Sequence, residues 1–277
     1  PTRLRFTTTQ LYAYTMFTPD NTKAGAALIV TAWRDGTRLA QLPDDIRPAT
    51  QRQGYAIQAH LGSVMHDTVA GWKIAATSAQ GQRHIGVDGP IAGRLFASKI
   101  HSAATGISLA HNMMSVAECE FVFVLGRDLP ASTKPYSRAN VLDAVAALHP
   151  GIELPNSRFA DFANAGAPQL AADNACAHQM VIGEVIAADW RNLDLSQVRT
   201  SICINNEVVC RGSGADVLGH PLDALTWLAN SHGERGTGLL AGQFVTTGVT
   251  GQPTPVSPGE VIEACLEDLG CVRVALT

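Results

Sequence analysis

Glu118 and Glu120 stand two residues apart in Ala117-Glu118-Cys119-Glu120-Phe121-Val122-Phe123-Val124-Leu125. Aromatic and β-branched residues dominate the run and Gly126-Arg127-Asp128 ends it, which reads as a β-strand. Successive strand side chains point to opposite faces, so the two carboxylates share one face. Side by side among apolar residues they repel each other and lose hydration, and they stay ionised only if a cation or strong donors compensate. Hard divalent ions take oxygen ligands, and a third carboxylate would complete a protein-side triad. Glu153, in the apolar run Gly151-Ile152-Glu153-Leu154, is the candidate. The alternative is an edge strand whose polar face is solvated. Lys73, inside Gly71-Trp72-Lys73-Ile74, is the second residue that could do chemistry. Its apolar neighbours disfavour the charged form, whereas nearby glutamates or an anionic substrate favour it. The alternative here is a lysine that snorkels to the surface.

The elements that must position these groups can be read in outline. The chain has 277 residues, 46% hydrophobic and 16% charged, with a net charge of -4. This composition suits a soluble globular protein with a sizeable core. It has no basic run to attract nucleic acid and no apolar run near the roughly 18–20 residues of a membrane span. Neither partner is expected. The first twenty residues lack the apolar segment and small-residue cleavage site of a signal peptide. Six cysteines (Cys119, Cys176, Cys203, Cys210, Cys265, Cys271) include no C-x-x-C and no zinc-finger spacing, so reduced, mostly buried thiols and a cytoplasmic location are expected.

Apolar periodicity predicts one helix over 21–34, capped by Asp20 or Asn21, and a second over 50–65. A strand-like stretch over 71–78 follows, then the turn signal Asp88-Gly89-Pro90. After the two-glutamate strand, the spacing of Val141, Leu142, Val145 and Leu148 predicts a helix over 137–148. Strands are predicted over 180–186, 200–204, 207–210, 244–247, 261–266 and 272–276, with a hairpin at Asn205-Asn206 and a helix over 221–230. Gly236-Thr237-Gly238 mimics a dinucleotide fingerprint without a preceding strand and carries no such reading. The fold class is α+β, with an N-terminal helical segment (1–68) before a catalytic domain (69–277).

Taken together, the motifs resemble the fumarylacetoacetate hydrolase superfamily, in its hydratase/decarboxylase branch. The matching pieces are Gly71-Trp72-Lys73-Ile74 with Thr77-Ser78, Gly86-Val87-Asp88-x-Pro90, and Glu118-x-Glu120 running into Leu125-Gly126-Arg127-Asp128. They continue through Glu153, Ser157-Arg158, Asp173-Asn174, Leu218-Gly219-His220-Pro221, Thr247-Gly248 and Leu269-Gly270. The resemblance implies a mixed β-roll core and a Mg²⁺ or Mn²⁺ ion held by Glu118, Glu120 and Glu153, with Lys73 in the pocket. It also implies a short 2-oxo or 2-hydroxy acid substrate, of the kind met in aromatic-ring catabolism, and a homo-oligomer. A 2-oxo acid can chelate such an ion through its carboxylate and keto oxygens, and the ion then stabilises an enolate. That electron sink serves hydration of a 2-hydroxydienoate, which is the leading expectation. It equally serves decarboxylation or C–C hydrolysis, and a binding role without turnover is the further alternative.

Other residues take roles by position in the motifs. Lys73 is expected to transfer protons or to pair with a substrate carboxylate, and Asp88 either orients Lys73 or a water or only forms the turn. Arg158 contacts a substrate carboxylate or forms a structural ion pair. Asp173 and Asn174 are expected near the metal, and Thr247-Gly248 near the substrate carboxylate. Cys176 and His178, two apart, either form a replacement proton relay or are a buried thiol and a satisfied histidine. The chain also departs from the family pattern. Ile91 replaces the second aspartate of G-V-D-x-P-D, Gln169-Leu170 replaces a polar pair, and Cys176 replaces the serine usual after D-N-A.

Overall fold

Thr18 is the residue that starts the first described helix: its side chain accepts from Asn21 N while Asn21 reaches back, a capping box that takes the role expected of Asp20 or Asn21. The computed structural model describes residues 17–102 and 106–277. Helix α1 (Pro19–Asp35) ends at Gly36 in the left-handed conformation. The single helix expected over 50–65 is two helices, α2 (Gln51–Gln58) and α3 (Leu61–Met65), because the chain turns at Ala59-His60. Ala26, Ile29, Val30, Leu42, Ile57 and Leu61 form a core of their own with Phe96, Phe159 and Ala172.

Strand β1 (Val69–Ala75) follows, then α4 (Ala79–His84), β2 (Ile91–Phe96), β3 (Ile100–Ser102) and β4 (Val116–Leu125). The helix expected over 137–148 is a correction. Helix α5 (Arg138–Ala144) stops at Ala144 and β5 (Val145–Leu154) begins at once. Val145 is β-branched and His149 precedes Pro150, a position that disfavours helical backbone, while pairing with β4 supplies the alternative ladder. Next come α6 (Ala167–Ala172), β6 (Gln179–Ile182), β7 (Arg199–Ile204), β8 (Glu207–Ser213), α7 (Pro221–Glu234), β9 (Phe244–Thr246), β10 (Thr250–Pro255), β11 (Val261–Leu266) and β12 (Gly270–Ala275). Asn205 and Asn206, both at positive φ, make the expected two-residue hairpin between β7 and β8.

Among the described residues the strands form two sheets. The larger runs β2-β1-β9-β4-β5-β6-β3, with β10 also pairing with β4, and the smaller runs β12-β11-β7-β8. Pairs β1/β9 and β3/β6 are parallel and the others antiparallel, so the sheet is mixed. The two-glutamate strand β4 lies at its centre, against β9 and β5, and is not an edge. Its other face, with Cys119, Phe121 and Phe123, packs with Ile202, Ile262, Ala264 and Val272 of the smaller sheet and with Leu225 and Leu228 of α7.

The cysteines differ from expectation. Cys265 and Cys271 sit opposite each other on β11 and β12, with Cα atoms 4.1 Å apart, and form a disulfide. Of the other four, Cys119 is buried and Cys176, Cys203 and Cys210 are partly exposed. No described helix is long and apolar enough to cross a membrane.

Candidate active site

Antiparallel register brings the three glutamates together. Glu118 on β4 pairs with Glu153 on β5, and Glu120 pairs with Gly151. One carboxylate oxygen from each of Glu118, Glu120 and Glu153 lies within 4.8 Å of the others. Glu120 and Glu153 are fully buried, while Glu118 is half-buried and faces a cavity of about 690 Å³. Lys73 projects from β1 into the same cavity; its Nζ lies 3.1 Å from Glu153 Oε1 and donates to Ala175 O at 3.1 Å.

Electrostatics at the floor of the cavity are dominated by burial. Burial and Glu153 push the Glu118 carboxyl up to about 7, against the pull of Lys73. Burial, with Glu153 and Glu118, holds Glu120 well above the usual carboxylate range. Burial alone would lower the Lys73 ammonium, but Glu153, Glu118 and Glu120 outweigh it and hold the lysine above its ordinary value. Gly248 N donates to Glu120 Oε2 at 2.7 Å. Among the described residues Glu120 Oε1 and both Glu153 oxygens accept no hydrogen bond, and Glu153 Oε1 has only the ion-pair contact with Lys73 Nζ. Three convergent carboxylates with orphaned acceptors have, among the described residues, one neighbouring cation and are short of positive charge. An all-oxygen donor set of this kind suits a hard divalent ion such as Mg²⁺ or Mn²⁺.

The carbonyl that receives Lys73 comes from an unusual turn. Asn174, Ala175 and Cys176 have φ of 59°, 51° and 60°, three consecutive non-glycine residues in the left-handed region. Such backbone costs of order 1–3 kcal/mol per residue and persists only where its surroundings impose it. Here Asn174 Oδ1 accepts from Arg94 N at 2.6 Å and its Nδ2 donates to Arg94 O at 2.8 Å. The turn lies so close to β2 that a Cβ on Gly93 would meet Asn174 O at 2.2 Å.

The profile of the family described as fumarylacetoacetate (FAA) hydrolase C-terminal matches residues 88–277. The chain belongs to the fumarylacetoacetate hydrolase family. It is 34% identical to 2-keto-4-pentenoate hydratase of Paraburkholderia xenovorans over 259 residues, 92% of this chain and 95% of that one. It is 30% identical to 2-hydroxyhexa-2,4-dienoate hydratase of Comamonas testosteroni over 251 residues, 89% and 94% of the two chains. Its fold matches 4-oxalocrotonate decarboxylase of Pseudomonas putida G7, solved with magnesium and adipate, at a TM-score of 0.85 and 26% identity, covering 94% of this chain and 98% of that one.

Within this member of the family, several residues stand elsewhere than their motifs suggest. Asp88 is exposed in the turn before β2 and outside the cavity lining, and Lys73 meets Glu153 and Ala175 O instead. Arg158 is fully buried and committed to structure. Its Nε donates to Asp173 Oδ1 at 2.5 Å, its Nη1 to Asn156 O and Ala177 O, and its Nη2 to Asp173 O. Four of its five N–H groups are thereby committed, and Arg158 is not among the residues that line the cavity. Asp173 is held by Arg158 and by Ser157 Oγ at 2.7 Å, and Asn174 by the Arg94 backbone. Thr247 is buried, with N and Oγ1 both donating to Phe121 O. Gly248 serves Glu120, so this pair supports a carboxylate of the protein and does not line the cavity.

Cys176 and His178 stand in different surroundings. Cys176 lines the cavity, its thiol pushed up to about 12 by burial and by Asp173. His178 packs against Trp33, ring centroids 5.5 Å apart, and burial with nearby Arg158 lowers it to about 3. Ile91, at the position where the family pattern has its second aspartate, lines the cavity. Arg38 also lines the cavity, and sequence reading missed it because its segment has no periodicity and no motif.

Proposed function

We propose that the chain is a divalent-metal-dependent hydratase that adds water to a short 2-hydroxydienoate, with Glu118, Glu120 and Glu153 holding Mg²⁺ or Mn²⁺. The observation that carries this reading is the convergence of three carboxylates, with orphaned acceptor atoms, beside Lys73 at a substrate-sized cavity. The likeness to named hydratases over most of the chain supports the choice of reaction. When bound, the ion supplies a Lewis acid for the carboxylate and 2-oxygen of the substrate.

The protein's own groups account for the rest. Hydration of 2-hydroxypenta-2,4-dienoate moves the enol proton to C5 to give the 2-oxo-3-enoate, and water then adds its oxygen to C4 and a proton to C3. The product is 4-hydroxy-2-oxopentanoate. Lys73 carries the protons. Its Nζ donates to Ala175 O and lies 3.1 Å from Glu153 Oε1, and an ammonium has three N–H groups to share among these and the substrate. Ile74, Ile91, Val116, Phe159 and Leu170 wall the cavity with apolar surface and keep bulk water from the reacting carbons.

A second reading, decarboxylation of a related 2-oxo acid, is favoured by Ile91. An apolar wall at that position removes a carboxylate that could activate water, and loss of CO₂ needs no attacking water.

The test is direct. Purified protein with Mg²⁺ and 2-hydroxypenta-2,4-dienoate is expected to lose the conjugated-diene absorbance and form the 4-hydroxy-2-oxo acid. EDTA should stop this and added Mg²⁺ restore it. Turnover that survives thorough chelation would refute the metal assignment. CO₂ release from a 2-oxo-3-enedioate, without hydration of the dienoate, would select the second reading.

Gly248→Ala gives a separate handle on the same site. At φ +104° an added Cβ would meet Thr77 Oγ1 at 2.2 Å and Ile74 O at 3.0 Å. The backbone that presents its N–H to Glu120 must then shift. Divalent-ion affinity is expected to fall roughly 10–100-fold, the range for loss of a group that orients a metal ligand. A metal titration that matches wild type would contradict it.

A further inference from the structure

Arg38, in the segment after α1, lines the cavity, and three neutral oxygens hold its guanidinium. Nη1 donates to Thr37 O at 3.0 Å, and Nη2 to Asn156 Oδ1 at 2.8 Å and to His111 O at 3.3 Å. The Asn156 side chain is itself fixed, accepting from Met113 N and donating to His111 O. A guanidinium has five N–H groups, so Nε–H and one Nη1–H remain uncommitted. No carboxylate among the described residues pairs with Arg38, whereas Lys73, the other strong cation of the lining, is paired with Glu153. The same cavity is lined by Met114, Val116, Ile91, Phe159, Phe162 and Leu170. The cavity thus has a carboxylate cluster with its lysine, apolar walls, and a second cation, Arg38, that is held by neutral oxygens and pairs with no carboxylate among the described residues. Asn156, which holds Arg38, is three residues from Glu153, so the two Cα atoms are at most about 11 Å apart.

We infer that Arg38 binds a second carboxylate, at the end of the substrate remote from the glutamate cluster, and that the preferred substrates are short 2-oxo or 2-hydroxy diacids. This rests on the reading of the glutamate end as the site for a 2-oxo acid head. A guanidinium that meets a carboxylate in a partly desolvated cavity makes charge-assisted hydrogen bonds, while a methyl terminus leaves its donors facing an apolar tail.

The experiment compares binding of 2-oxohexanedioate and 2-oxohexanoate to the Mg²⁺-loaded protein by titration calorimetry. Both acids share the head and chain length, and neither carries the diene consumed in hydration. Wild type is expected to prefer the diacid by about 10–100-fold. In Arg38→Gln the preference should collapse to within about threefold, and Arg38→Lys should keep part of it. Thermal unfolding of each variant establishes that it is folded. Equal affinities in wild type, a preference retained in folded Arg38→Gln, or no binding of either acid would overturn the assignment. Hexanoate serves as the arm for the head: if it binds as well as 2-oxohexanoate, the 2-oxo acid site fails, whatever Arg38 does. A diacid preference without hydration of a dienoate would leave Arg38 assigned and remove the hydratase reading.

Discussion

Lys73→Met is expected to lower kcat by about 10²–10⁴-fold, the usual contribution of a positioned proton-transfer group. Methionine matches the length and apolar stem of the lysine, so the β1 packing survives, but it carries no proton. Lys73 is almost completely buried, and its Nζ lies between Glu153 Oε1 and Ala175 O. Removing the ammonium also removes the one cation that, among the described residues, stands beside the three carboxylates. A divalent ion should therefore bind at least as tightly in the variant as in wild type. Loss of turnover with retained or tightened metal binding separates a proton carrier from a structural lysine, whose loss would weaken both. Metal titration together with steady-state kinetics makes the comparison. A variant within threefold of wild-type kcat would show that the protons travel by another route.

The same pair of elements shows what a sequence can reveal and where it stops. That Glu118 and Glu120 share a face follows from strand alternation, which is a local property. That Glu153 stands opposite Glu118 is a matter of register between β4 and β5, and no single strand contains it. Glu153 stood out only as a lone carboxylate in an apolar run, and the family resemblance implied its place in the triad. Periodicity misled at 137–148 because Val141, Leu142, Val145 and Leu148 satisfy a helical stripe, while the actual change from α5 to β5 is decided by pairing with β4. Cysteine spacing likewise contains nothing of the β11/β12 register that sets Cys265 against Cys271. Motif residues carried position more faithfully than role. Gly248 gives its N–H to Glu120, and Asn174 clamps the backbone of Arg94. Arg38 could not be read at all, since its place depends on contacts with His111 and Asn156, far along the chain.

Asp173→Ala is expected to destabilise the protein by about 3–5 kcal/mol, the range for breaking a buried ion pair and leaving one charge uncompensated. At roughly 2–4 °C per kcal/mol for a large domain, this is a fall in Tm of about 6–20 °C. Both side chains of the Arg158–Asp173 pair are fully buried. Arg158 also donates to Asn156 O and Ala177 O and stacks its guanidinium on Trp33 of α1, 4.1 Å from the ring centroid. The pair therefore ties together α1, the segment that follows Glu153, and the left-handed turn whose Ala175 carbonyl receives Lys73. Alanine at 173 would leave the guanidinium with carbonyl partners but no counter-charge, and the turn without its anchor. The double variant Arg158→Met/Asp173→Leu removes both charges and should recover much of the loss. Its kcat should nonetheless stay low, because the Ala175 carbonyl no longer has a rigid support. Thermal unfolding of the single and double variants, beside their kinetics, tests this. A Tm drop below about 2 °C in Asp173→Ala would mean that water reaches Arg158 and that the pair does not organise the turn.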